Sequence, residues 1–212
     1  MRYLRHVLAV AAALAIPACG NQTEPGLTSQ LGGRFIPALA DAPETAVEAG
    51  VPNPETAMLF QVSGLGIVSL GQRVTDDDGP RVTYLGDTGF SVTFEGDVMV
   101  ATRGFGKDLM AANVAEVRAA LSARSGTATR VHDYLDSREQ IVTEVYECQF
   151  EQKGTEDVDL GLRQVQATVI SETCSNPRIV FENVYYVDGS GSVVATRQFV
   201  SDIVAYLRNN RV

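Results

Sequence analysis

The chain has no tryptophan, little lysine, three cysteines and two histidines. Each scarcity removes a class of chemistry. One histidine, His6, lies in the extreme N-terminal segment, so His132 alone is left to serve a serine or cysteine nucleophile, which ordinarily needs a base beside it. His132 sits at an alternating, strand-like position next to Asp133, where a satisfied structural or surface role is the expectation. There is no GxSxG and no CxxC. The acidic ligands of an EF-hand loop are missing too: Asp76-Asp77-Asp78-Gly79-Pro80 has no alternate spacing and no distant glutamate, and reads as a hairpin turn. No catalytic constellation, metal site or cofactor site is expected.

The one strongly apolar run is short and stands at the start. Arg2, Arg5 and His6 form a basic head, Val7 to Ile16 an apolar stretch, and Ile16-Pro17-Ala18-Cys19 resembles a lipobox with an unusual proline. The run falls short of the about 20 residues needed to span a bilayer and has the order of a signal peptide over residues 1–18. Cys19 is then the lipidation site, and two or more acyl chains hold a protein on a membrane where one does not. Gly20 in place of an aspartate favours the outer membrane, with the body facing the periplasm. An ordinary secretory signal with a chance cysteine is the competing reading.

Residues 19–40 read as the lipidated end and a flexible tether, with Gly, Gln, Thr and Ser dense from Gly20 to Gly33, and residues 41–212 as one β-rich domain. Without residues 1–18 there remain 15 basic residues against 26 acidic, a net charge of −11. Such a body repels nucleic acid and anionic headgroups. Cys148 and Cys174 remain as an even pair in an exported chain and are expected to form a disulfide.

Asp41–Gly50 fits a short helix. From Met58 onward the pattern is period-two strands between turn signals: 58–63, 67–74, 81–85, 91–95, 98–103, 127–135, 141–150, 163–173, 178–187 and 192–200. Residues 204–207 fit a strand or a helical turn equally. Hairpin turns fit at 136–137, 154–157 and 188–191. One helix interrupts them at about residues 107–123, with Asp108 as N-cap and Leu109, Val114, Val117 and Leu121 as its apolar stripe. Gly104-Phe105-Gly106 reads as a tight strand-to-helix turn rather than an anion cradle. The sum is a mainly β fold, a single antiparallel meander with one inserted helix.

Two stretches carry a family likeness. Val98 to Met110 (VMVATRGFGKDLM) resembles the ATRGLGxDLM segment of the YjbF/GfcB family, the group 4 capsule polysaccharide lipoproteins. Asn183-Val184-Tyr185-Tyr186-Val187-Asp188, with Gly191 to Val200, resembles that family's NxYWVD…G…SxQW hairpin. The likeness runs from about Met58 to Leu207. Phe105 stands where Leu is common, Tyr186 and Phe199 where Trp is common, and Thr196 where Ser is common. These keep the bulk and remove the indole donors. The resemblance implies a sheet curved into a half-barrel and a role in producing or exporting capsule or exopolysaccharide. It supplies no catalytic residue. Its two stretches make Arg103, Tyr185, Tyr186, Asp188, Arg197 and Gln198 the candidate surface for a glycan or for an outer-membrane β-barrel export protein. Of Tyr185 and Tyr186, alternation lets at most one face outward. Two other readings stand beside this one: a half-barrel carrying a lipid or acyl chain, which needs an open apolar cavity, and a periplasmic glycan hydrolase, which needs two facing carboxylates.

Overall fold

A computed structural model describes residues 56–74 and 79–211. The expected signal peptide, Cys19, the expected tether, the helix expected over Asp41–Gly50 and the three aspartates of the turn expected at 76–80 lie outside the described residues. The strands are β1 (Ala57–Val62), β2 (Ile67–Arg73), β3 (Arg81–Gly86), β4 (Ser91–Glu95), β5 (Val98–Arg103), β6 (Ala111–Asn113), β7 (Gly126–Leu135), β8 (Ile141–Asp159), β9 (Gln164–Ser175), β10 (Val180–Val187), β11 (Val193–Ser201) and β12 (Ala205–Arg211). A helix, α1 (Ala115–Ala123), separates β6 from β7.

The twelve strands of the described residues make one antiparallel sheet in the order β5-β4-β3-β2-β1-β12-β11-β10-β9-β8-β7-β6. Neighbours in sequence are neighbours in space, as short connections require, except β5 and β6, which are the two ends of the sheet. The first and last strands pair, Met58 opposite Arg211 through Val62 opposite Leu207. The meander with one inserted helix is therefore as expected, but the sheet curls beyond a half-barrel. It is nearly closed, with an unsealed seam between β5 and β6. The Thr102 N–H reaches across to the Leu109 carbonyl at 2.8 Å, and Gln198 on β11 braces β5 from inside. The Gln198 amide accepts from the Met99 N–H and donates to the Asp97 carbonyl, both at 2.9 Å.

The inner faces follow the period of two. Ala128, Arg130, His132 and Tyr134 of β7 are buried, as are Tyr146, Cys148 and Phe150 of β8 and Phe181, Asn183, Tyr185 and Val187 of β10. Val117 and Ala120 of α1 and Val98 and Val100 of β5 complete this core. A second cluster gathers Phe60, Phe90, Phe94, Met99, Leu109 and Leu207. Gly71 is fixed by it: a Cβ there would sit 2.3 Å from the Phe60 ring.

Several local expectations change. The helix begins at Ala115, not near residue 107, and its N-cap is Val114 with no side-chain cap bond. Asp108 caps the preceding loop instead, accepting from the Thr102 hydroxyl at 2.9 Å and from the Gly104 and Phe105 N–H groups at 3.0 and 3.2 Å. Gly104 and Gly106 have φ of 92° and 95°, so the tight turn is real while the Asp108 helix cap is not. Leu109 is buried in the second cluster without being helical. Strand β8 runs on to Asp159, because Gly154 at φ 122° is a bulge opposite β9 rather than the hairpin turn. Residues 205–211 settle the open alternative as a strand.

Candidate functional site

The inner face holds a polar cluster that hydropathy conceals. Arg130 and Glu172 are 1% and 0% exposed and form a two-pronged ion pair, Nε to Oε1 at 2.8 Å and Nη2 to Oε2 at 2.9 Å. Tyr185 and Asn183 each donate to the same Oε2 at 2.8 Å. Burial lowers the guanidinium pKa, but the Glu172 carboxylate and then the Tyr185 phenol raise it more, so its pKa ends above its ordinary value. Burial, then the negative charge of Glu172, pushes the Tyr185 phenol well up.

The chain of bonds continues to His132. The Tyr134 hydroxyl gives its proton to the Val200 carbonyl at 2.6 Å, so it accepts from His132 Nδ1 at 2.9 Å. That leaves Nε2 as an acceptor facing Arg130 Nη1 at 3.4 Å. Burial, then the Arg130 charge, drives the His132 pKa well below its ordinary 6.5 and keeps the ring neutral. This histidine is a satisfied interior residue.

Cys148 and Cys174 form the expected disulfide between directly opposed positions of β8 and β9, with Cα atoms 4.0 Å apart. Glu172 Oε1 lies 3.3 Å from the Cys174 sulfur. The three side chains group as metal ligands do, but each sulfur is already bonded to the other. A loop of this length closed by a disulfide contributes roughly 3–4 kcal/mol in the chain-entropy model.

The six sequence-predicted surface residues do not form one surface. Tyr185 and Gln198 are buried at 0% and 1% exposure, because both point into the barrel, one to Glu172 and one to β5. Arg103 is exposed, but its guanidinium straps the loop after β5, donating to the Thr102, Leu109 and Met110 carbonyls. Asp188 holds the β10–β11 turn by accepting from the Ser190 hydroxyl and from the Ser190 and Ser192 N–H groups. Those bonds, the Ser190 hydroxyl first, keep its pKa below the usual carboxylate value.

Tyr186 and Arg197 do come together, on the outside of the barrel. Pairing register sets Gln61, Arg208, Arg197 and Val184 in one row across β1, β12, β11 and β10. Asn210, Ala195, Tyr186 and Val169 form the next row. Two recesses of about 460 and 270 Å³ flank Arg197 and Arg208, which line both. Tyr206 borders the larger and Tyr186 the smaller. The Arg197 guanidinium lies 4.7 Å over the Tyr206 ring and donates through Nη2 to Glu182 Oε2 at 3.2 Å. Tyr186 rests on a small outer cluster of Leu160, Ala167, Val194 and Ala195. Arg208 and Tyr206 were not legible as site residues because the last strand was ambiguous.

A further cleft of about 260 Å³ is lined by Tyr134, Tyr146, Lys107, Asp202, Glu144 and Arg178 among others. Its charges are paired: Lys107 with Asp202, and Arg178 with Glu144, which also accepts from the Tyr146 phenol.

Comparison with known proteins decides the family. The model of the group 4 capsule polysaccharide lipoproteins, GfcB and YjbF, matches residues 44–211. The chain belongs to this family. Among solved structures, the fold is similar to that of the hypothetical lipoprotein YmcC from Escherichia coli K12, with a TM-score of 0.63 at 18% identity, covering 74% of this chain and 83% of that one. A search of the curated proteins found no match. For a capsule polysaccharide lipoprotein, the family's aromatic positions have divided duties here. Phe199 is buried and stacks on Phe181 at 4.4 Å, so bulk is what that position needs, while Tyr186 is half-exposed beside Arg197. Among the described residues no helix is long and apolar enough to cross a membrane.

Proposed function

We propose that this lipoprotein is an accessory component of capsule or exopolysaccharide production or export. It is held at the outer membrane by acyl chains on Cys19, with the barrel facing the periplasm, and it works by binding a glycan or an outer-membrane export barrel through the outer groove around Arg197 and Tyr186. The observation that carries this reading is the family match across residues 44–211. The groove supports it by offering exposed aromatic and cationic side chains on a rigid sheet, which suits recognition without chemistry.

The acyl-carrier reading needs an open apolar interior. Here the concave face is filled by Val117 and Ala120 of α1, by aromatic rings and by the Arg130–Glu172 cluster. The hydrolase reading needs two facing, available carboxylates. Glu172 on the inner face and Glu144 in the cleft beside Tyr146 are both held in ion pairs.

A strain lacking the gene, scored for surface polysaccharide, tests the proposal. Loss of polysaccharide, restored by the wild-type chain and not by Cys19→Ala, is the expected outcome. Unchanged polysaccharide in the deletion strain removes the assigned process, and full rescue by Cys19→Ala removes the anchor.

A further inference from the structure

We infer that the outer groove recognises acidic sugars, gripping a sugar carboxylate between Arg197 and Arg208. The inference rests on the glycan-facing reading above and narrows it to a substrate class. Its starting point is a pairing that the fold does not need. Arg197 and Arg208 are direct cross-strand partners on β11 and β12, and the next position in that row is Gln61, which is uncharged. Like charges placed directly opposite destabilise a sheet. Two arginines are thus placed directly opposite each other in a chain whose formal net charge is −9.

Their donors are incompletely used. Arg197 carries five N–H groups, and its hydrogen bonds all run through Nη2, to the Glu182 carbonyl and carboxylate. Its Nε is buried without a hydrogen-bond partner. Arg208 is exposed and has no hydrogen-bond or ion-pair partner among the described residues. Arg197 is also pre-positioned: Tyr206 supports its flat face and Glu182 holds one end, so little rotamer freedom is left to lose on binding. A planar fork of this kind matches a carboxylate with two parallel hydrogen bonds.

The surroundings favour a chain of sugars over an isolated anion. The recesses on either side continue the groove across β1 to β10, three strand spacings or about 14 Å. Tyr206 and Tyr186 give each recess an aromatic wall, a surface that suits the apolar face of a pyranose ring. Lys153 also lines the far recess with Glu156 and Glu182, but its ammonium is paired with Glu151 at 2.5 Å, so the two arginines carry the recognition.

Calorimetry on the full-length chain in neutral detergent tests this, using oligogalacturonate and hyaluronan oligosaccharides against malto-oligosaccharides of equal length. The acidic oligosaccharides should bind, the neutral ones at least about tenfold more weakly, and added salt should narrow the gap. Arg208→Ala, a change at an exposed residue, should weaken acidic binding about tenfold, the effect of one lost charge-assisted hydrogen bond. Glu182→Gln keeps an acceptor for Arg197 Nη2 but removes the carboxylate that competes for the guanidinium, and should tighten acidic binding, a direction that misfolding cannot imitate. Equal affinity for neutral and acidic sugars overturns the inference while leaving glycan binding in place. Unchanged acidic binding in Arg208→Ala overturns it as well. Failure of every oligosaccharide to bind, or Arg208-dependent binding to phosphatidylglycerol vesicles alone, also overturns it. The deletion strain then judges the broader reading separately.

Discussion

Arg130 and Arg197 sit on the two faces of the same sheet, and their environments are opposites. Arg130 points inward, is sealed from water, and has a carboxylate, a phenol and an imidazole around it. Arg197 points outward, rests on a ring, shares one carboxylate, and faces a second arginine across the ladder. A buried charge survives only when its bonds are complete, so the inner arrangement is a condition of folding. An exposed charge is tolerated with donors to spare. The difference separates side chains that specify the barrel from side chains it presents.

The largest effect should come from breaking the inner cluster. Removing one partner of a buried ion pair leaves the other uncompensated, at about 3–5 kcal/mol. Glu172→Gln or Arg130→Met alone should show that loss in urea unfolding, and the double variant Arg130→Met with Glu172→Leu should recover much of it. Additive losses would mean that the two residues do not act as a unit.

The disulfide beside this cluster comes next. Replacing both Cys148 and Cys174 by Ser should lower stability by roughly 3–4 kcal/mol at unchanged fold, as followed by circular dichroism during urea titration. Cys148→Ser alone should leave Cys174 alkylatable after unfolding, whereas the oxidised wild type takes up no label.

The third effect is a pH dependence. His132 has a folded pKa below its ordinary 6.5, so the unfolded chain takes up that proton first as the solution is acidified. Its contribution is complete above about pH 6.5 and declines below it, by up to about 1.4 kcal/mol per pH unit until the folded ring itself protonates. His132→Gln, which cannot titrate, should flatten the urea midpoint between pH 6.5 and 5. An unaltered slope would remove His132 as the source.

The smallest effect on stability should be on the outer face. Arg208→Glu replaces a like-charged cross-strand pair with an opposite one and should raise stability by about 0.2–1 kcal/mol while abolishing acidic-sugar binding. Loss of stability of the inner-face size would erase the distinction between the faces.

Much of the barrel was readable in advance because alternation survives in nearly every strand. What failed has local causes. Leu109 and Asp108 imitate a capped amphipathic helix, yet three residues of strand intervene before Ala115. Gly154 carries the signal of a turn but supplies a bulge. Tyr185 and Gln198 were expected at a surface, and each is instead the polar partner of a buried group. The inner cluster was missed because Arg130 and Glu172 contradict the hydropathy of their neighbours. Their parity gave a clue: Arg130 falls in step with Ala128 and Tyr134, and Glu172 in step with Ile170 and Cys174, all buried. A charge in the buried register of a strand calls for a partner in the same register nearby.

The pairing of β1 with β12 governs the order in which this molecule can be finished. A chain made N-terminus first exposes the backbone edge of β1 from the outset, while the strand that covers it is the last of the twelve to arrive. Until β12 docks, the β1 edge has no partner of its own chain, and pairings this distant in sequence are slow to form. An edge left waiting in this way is open to foreign strands, so closure by β12 is also what protects the fold from mispairing.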